Sequence, residues 1–293
     1  MKNKLNINRR DAIKTMALGS TAMAIPSLNS DSLSSKNEPL KGNINHSVCR
    51  WCFNSLSIDE LCKLAKKIGL QGIDLVGPKD WPILQKHGLQ STMCNGAEIN
   101  LVDGWNNKMN HAVLIKNYRE MIPKVAKAGY KNLICFSGNR NGLDDETGLN
   151  NCAEGLMQII ALAEEHHVTL VMELLNSKID HKDYQCDKTS WGVKLAKMID
   201  SDHFKLLYDI YHMQIDEGDV IRTIKENHQY IAHYHTAGVP GRNEIDDTQE
   251  LNYPAIMKAI LSTGFKGYVA QEFIPLQADK AGSLRAAVQI CDV

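Results

Sequence analysis

Four residues of the kinds that hold cations or move protons each stand at the end of an otherwise apolar run. They are Glu173 in VTLVMELLN, Asp209 in FKLLYDIYHMQ, His235 in YIAHYH and Glu272 in GYVAQEF. Three carboxylates and one imidazole suit a hard or borderline divalent ion such as Mn2+, Mg2+ or Co2+, with Zn2+ also accommodated. Just beyond His235 the chain turns at Pro240-Gly241 and presents Arg242 and Glu244. An imidazole followed by a guanidinium and a carboxylate suits a metal-assisted site for a polyoxygenated anion. Taken singly, each of the four reads equally well as a paired core acid or a satisfied core histidine. Together they end four consecutive strands, and neighbouring strands lie about 4.8 Å apart, so the four can surround one ion. Burying these charges without a counter-cation would be costly.

The elements that must position them alternate along the chain. Apolar runs at Ser47–Phe53, Gly72–Gly77, Leu89–Gly96, Asn132–Ser137, Val168–Asn176, Phe204–Gln214, Tyr230–His235 and Gly267–Phe273 predict eight strands. Between and after them, helical periodicity predicts helices over Ile58–Ile68, Trp81–Lys86, Ala112–Ala128, Asn150–His166, Trp191–Ile199, Asp219–Asn227, Tyr253–Ser262 and Lys280–Ile290. Ser57 and Glu60 form a capping box for the first helix, and Gly69 stops it. Strands apolar on both faces belong to a covered parallel sheet. The size fits the roughly 250 residues usual for a (β/α)8 TIM barrel, whose functional residues gather at the C-terminal strand ends. A doubly wound open sheet is disfavoured because no G-x-G-x-x-G follows the first strand. Two polar stretches, Glu98–Asn110 and Gly138–Asp145, are placed to wall a pocket, with Trp51 and Trp105 packing against a substrate's carbon face.

The chain has 293 residues, 43% hydrophobic and 23% charged, with a formal net charge of -1. That balance argues against a nucleic-acid partner, and no run reaches the eighteen or so apolar residues of a membrane span. Residues 1–25 carry Arg9-Arg10, a short apolar stretch and Ala22-Met23-Ala24. This order is that of a secretory signal and resembles a twin-arginine signal read by the twin-arginine export machinery. The location expected is periplasmic, or cytoplasmic if the signal is not used. Residues 26–45 read as a polar linker, leaving 46–293 as a single barrel domain, compatible with a homo-oligomer. The eight cysteines lie mostly in apolar runs and read as buried small hydrophobes. Cys49-x-x-Cys52 sits in a predicted strand, where the two side chains do not converge on a metal.

The segments CFSGNRNG, DDETGLNNCAEGL, MELLNSK, YDIYHMQ, HYHTAGVPGRNEIDDTQELNY and QEF resemble the hydroxypyruvate isomerase group of the xylose-isomerase-like sugar isomerase/epimerase barrels. The resemblance runs over nearly all of the chain from Ser47, with PGRNE and ELNY its most specific parts. It implies one divalent ion held by Glu173, Asp209, His235 and Glu272. His235 matches a position that is often Gln in hydroxypyruvate isomerases but His in the tagatose epimerase-like branch, so the substrate stays open between them. The implied reaction is aldose–ketose isomerisation of hydroxypyruvate or a similar small hydroxycarbonyl compound through an enediolate. Glu173 and Glu272 would be the acid/base pair as well as ligands. His212 and Arg242 would bind substrate oxygens, with Glu244 orienting Arg242; Asn176 and Gln214 stand behind them. The alternatives are an epimerase or lyase on a keto-sugar and, from another class, a periplasmic sugar-binding protein without turnover.

Overall fold

A computed structural model describes residues 39–293; the segment read as a signal, and the linker up to residue 38, lie outside them. The described chain forms a closed barrel of eight parallel strands in the order β1 to β8, with β1 pairing β8. The strands are β1 Asn45–Cys49, β2 Gly72–Val76, β3 Gln90–Cys94, β4 Asn132–Cys135, β5 Thr169–Glu173, β6 Phe204–Asp209, β7 Ile231–Thr236 and β8 Tyr268–Gln271. Packed outside are helices α1 Ile58–Ile68, α2 Trp81–Lys86, α3 His111–Lys127, α4 Asp145–Glu165, α5 Thr189–Ile199, α6 Ile210–Asp216, α7 Val220–Asn227, α8 Tyr253–Ser262 and α9 Lys280–Cys291. None of these helices is long and apolar enough to cross a membrane.

Local rules explain most boundaries. Ser57 Oγ accepts from Glu60 N while Glu60 accepts from Ser57 N, so the predicted capping box closes α1, and Gly69 ends it at φ +98°. Where the structure departs from the sequence reading, a side chain accounts for the change. The run FKLLYDIYHMQ is not one strand. It breaks at Asp209, whose Oδ1 accepts from Tyr211 N at 2.8 Å and His212 N at 3.2 Å and so caps α6. His212 and Gln214 are therefore helical residues. Helix α4 begins five residues earlier than expected because Asp144 caps it through Thr147 N. The first strand ends at Cys49, and Trp51–Phe53 form a 3-10 turn.

The segment read as linker also needs correction at its end. Ile44 is buried, and Lys41 N donates to Asp292 Oδ2 at 2.7 Å. Lys41 Nζ reaches Asp292 O, and Asn43 Nδ2 donates to Val293 O. His46 of β1 faces Asp292 at 3.6 Å. Residues 41–46 thus clasp the C-terminal end of the chain below the barrel.

One strand departs from regular alternation. Leu75 of β2 has φ +55°, and the pairing of β2 with β3 shifts register on both sides of Asp74. A left-handed backbone at a leucine costs about 1–2 kcal/mol, so the surroundings must impose it. At the other loop end, Gly104 and Gly138 approach so closely that a Cβ on Gly104 would meet Gly138 N at 2.3 Å. That contact pins the loop after β3 against the loop after β4.

Candidate active site and metal centre

The barrel brings the four predicted donors together. Glu173 closes β5, Asp209 closes β6, His235 is the penultimate residue of β7, and Glu272 follows β8 directly. All four are buried, and one donor atom from each lies within 4.8 Å of the others. Paired register puts Asp209 beside His235, and Glu272 N continues the ladder by donating to Thr236 O. His235 Nδ1 lies 2.5 Å from Glu272 Oε2, 3.2 Å from Glu173 Oε1 and 4.0 Å from Asp209 Oδ2. None of these is a well-aligned hydrogen bond, so a buried ring nitrogen faces three carboxylates without a partner.

Charge bookkeeping points the same way. Three buried carboxylates face one guanidinium, Arg242, whose Nη2 bonds Asp209 Oδ2 at 2.7 Å and also Glu272 Oε2. The donor set and the unpartnered Nδ1 fit a divalent ion.

The ring of His235 is aimed by a residue that the sequence reading passed over. Asp74, in the middle of β2, reaches across the barrel to His235 Nε2 at 3.1 Å and His233 Nε2 at 2.7 Å, while Thr92 Oγ1 donates to its other side at 2.8 Å. With Nε2 engaged by a carboxylate, Nδ1 is left to face the cluster, the usual support of a metal-binding histidine. Burial would raise the Asp74 carboxyl, but His233 and His235 outweigh it and hold it well below the usual range. The clue in sequence was an acid inside GIDLVG, which a buried strand tolerates only when paired.

Glu173 and Glu272 stand three strands apart around the rim. Burial, then the charge of Glu272, pushes the Glu173 carboxyl above its ordinary range. Glu272 is buried as deeply, yet His235 and Arg242 hold it low, with a 2.6 Å bond from Trp51 Nε1 adding to the effect. These two nearby carboxylates are thus shifted in opposite directions.

The remaining predicted residues divide. Arg242 lies at the site, over the Tyr211 ring at 4.9 Å and the Trp51 ring at 5.8 Å. Its Nη1 is 2.9 Å from His212 Nε2. Burial keeps His212 from gaining a proton, and Asn176 Nδ2 lies 2.6 Å from its other nitrogen. Glu244 does not orient Arg242. Its Oε1 accepts from Leu276 N, Gln277 N and Ser283 Oγ, tying the loop after β7 to the loop after β8. Gln214 points to Glu250 at the surface. Trp105 is buried against His111 and Tyr118 and lines nothing. A cavity of about 490 Å³ opens above the cluster, and its wall includes Leu101 from the loop after β3 but no residue of 138–145. Asp180 and His181, unmarked in the sequence reading, line it as well. All eight cysteines are buried and unpaired; Cys49 Sγ lies 3.7 Å from His235 Nε2.

Comparison with known proteins agrees with this geometry. The family description "xylose isomerase-like TIM barrel" matches residues 62–289. A 2-oxo-tetronate isomerase of Cupriavidus necator is 34% identical over 115 residues, 39% of this chain and 44% of that protein, so the chain spans less than half the length of this relative. The hydroxypyruvate isomerase of Escherichia coli is 28% identical over 229 residues, 74% of this chain and 88% of that one. Among solved structures, the 3-keto-D-glucoside 4-epimerase of E. coli superposes with a TM-score of 0.69 at 18% identity, over 84% of this chain and 98% of that one. The closed parallel barrel, with its charged cluster at the C-terminal strand ends, thus belongs to the xylose isomerase-like TIM-barrel family.

Proposed function

We propose that this protein is a divalent-metal-dependent isomerase that moves a proton between neighbouring carbons of a small hydroxycarbonyl compound. The observation that carries the reading is the pair Glu173 and Glu272 on either side of His235 Nδ1, with their acidities driven apart. Glu173, Asp209, His235 and Glu272 would hold a divalent ion, which would supply Lewis acidity to the hydroxycarbonyl group. The chain's own residues do the rest. One glutamate takes the proton from the carbon beside the carbonyl, and the other serves the neighbouring carbon. Arg242, with a forked array of donors, faces the oxygens on which charge develops. Neutral His212 completes a hydrogen-bonding floor.

The names of the relatives support an isomerase of hydroxypyruvate or 2-oxo-tetronate type. A second reading, an epimerase or lyase acting on a keto-sugar, is favoured by the cavity, which is far larger than a three-carbon acid needs. Export through the twin-arginine machinery belongs to the same proposal and rests on Arg9-Arg10; replacing both by lysine would leave the protein in the cytoplasm on cell fractionation.

The test is solvent exchange. Protein with Mn2+ is incubated in D2O with hydroxypyruvate and a panel of ketoses and followed by NMR. Deuterium entering together with the isomeric aldehyde supports the isomerase. Inversion or elimination on a sugar moves the assignment to the second reading. Metal binding without exchange on any compound sinks proton transfer and leaves a binding protein.

A further inference from the structure

The cavity above the cluster is divided by polarity. Its floor carries Glu173, Glu272, His212 and Arg242, and Asp180 and His181 also line it, whereas the rest of its wall is Trp51, Leu75, Leu101, Phe136, Leu175 and Ile274. Trp51, Leu101 and Ile274 remain 40%, 37% and 41% exposed, and Leu276, farther along the same loop as Ile274, is 75% exposed. Large apolar side chains left open around one cavity mark a ligand-binding surface.

Leu75 shows that this wall is built. Regular alternation from Asp74, which faces the barrel interior, would send Leu75 outward with Ile73 to meet the helices. Instead the strained φ of +55° and the register shifts beside it bring Leu75 into the cavity wall. Backbone strain of this kind persists where a site uses it.

Size and chemistry then select the ligand. Cavities of about 300–1,000 Å³ suit ligands of drug-like size, and 490 Å³ lies in that range. Away from Asp180 and His181, a second sugar ring would set its hydroxyls against leucine, isoleucine and phenylalanine, where they find no partner. An apolar ring needs none. Resting on the proton-transfer reading above, we propose that the substrate is an amphipathic keto-sugar. Its hydroxycarbonyl end lies on the charged floor, and a nonpolar, ring-bearing substituent lies against Leu75, Leu101, Ile274 and Trp51.

A matched pair of hexopyranosides that carry a free ring ketone beside a hydroxyl, one with a methyl and one with a phenyl aglycone, tests this. The Mn2+-loaded protein should exchange the phenyl compound with kcat/KM at least ten-fold higher than the methyl one, the gain lying in KM. Leu75→Gly suits a positive φ and so keeps the strand, and Leu101→Ser lies on an exposed loop. In both, the phenyl-to-methyl ratio should fall toward one while Mn2+ affinity by calorimetry is retained. A wild-type ratio near one overturns the proposal, as does a ratio untouched by both variants. If neither glycoside exchanges, the panel above decides the proton-transfer reading, and calorimetric affinity for the two glycosides still decides the subsite. Ten-fold tighter binding of the phenyl compound supports it, and equal binding overturns it.

Discussion

The two ends of this barrel handle buried charge in opposite ways. At the N-terminal end of the strands, one carboxylate, Asp292, accepts from the backbone N–H of Lys41 and faces His46 at 3.6 Å, while Lys41 Nζ donates to the Asp292 main-chain carbonyl. At the C-terminal end, three carboxylates converge with one arginine between them, and a buried imidazole nitrogen lacks an aligned partner. One end gathers the chain around a single carboxylate; the other crowds three carboxylates about one arginine. The difference teaches where stability and chemistry are separately located, as expected for this architecture.

The comparison can be broken in four ways. The largest effect is expected for Glu173→Gln and Glu272→Gln. Each should lower the exchange rate by about 10²–10⁴-fold, the range of general acid–base catalysis, with the far-ultraviolet spectrum unchanged. Retained exchange in either would show that the upper end is not an acid/base pair. Next, Asp74→Asn should weaken Mn2+ binding about 10–100-fold by calorimetry, the range for a residue supporting a metal ligand; wild-type affinity would make Asp74 a packing residue. Third, Mn2+ at about one hundred times its Kd should stabilise the fold by about 2.7 kcal/mol, or about 5–10 °C in melting temperature for a domain of this size. Chelation should reverse it. A melting temperature indifferent to metal would mean that Arg242 alone satisfies the upper end.

The smallest effect belongs to the lower end. Burial holds the His46 pKa below its ordinary value, against the pull of Asp292. The unfolded chain therefore binds the proton more readily, so stability is full above about pH 6.5 and falls as the pH drops below it. The slope from this one group is at most about 1.4 kcal/mol per pH unit. His46→Gln should flatten the wild-type curve of melting temperature between about pH 6.5 and 5. An unchanged slope would remove His46 from the account.

Much of this was legible before any coordinates, because period and capping act locally. The capping box at Ser57 and Glu60, helix α8 and the alternation of eight strands with helices all follow from near neighbours in sequence. So does the donor set, since a charged residue closing an apolar run must meet a counter-charge or an ion there. What escaped notice depended on partners distant along the chain. Asp74 acquires its meaning from His233 and His235, 159 and 161 residues away in sequence. Glu244 seemed a partner for Arg242 because a single residue separates them, but its hydrogen bonds go to the loop after β8. The switch from β6 to α6 was hidden because a continuous apolar run reads equally as strand or buried helix. The side-chain cap of Asp209 decides it.

The clasp beneath the barrel has a consequence for engineering. Lys41 and Asp292 are held by a 2.7 Å hydrogen bond although 251 positions separate them in the chain. A short peptide could join these ends, and new ones could be opened at the glycine turn around Gly129, on the loop between α3 and β4. Circular permutation succeeds where the ends lie close and the cut falls in an exposed loop. A permutant of that kind would carry its loose ends below the barrel and leave every loop around the charged rim unbroken, ready for grafting or display.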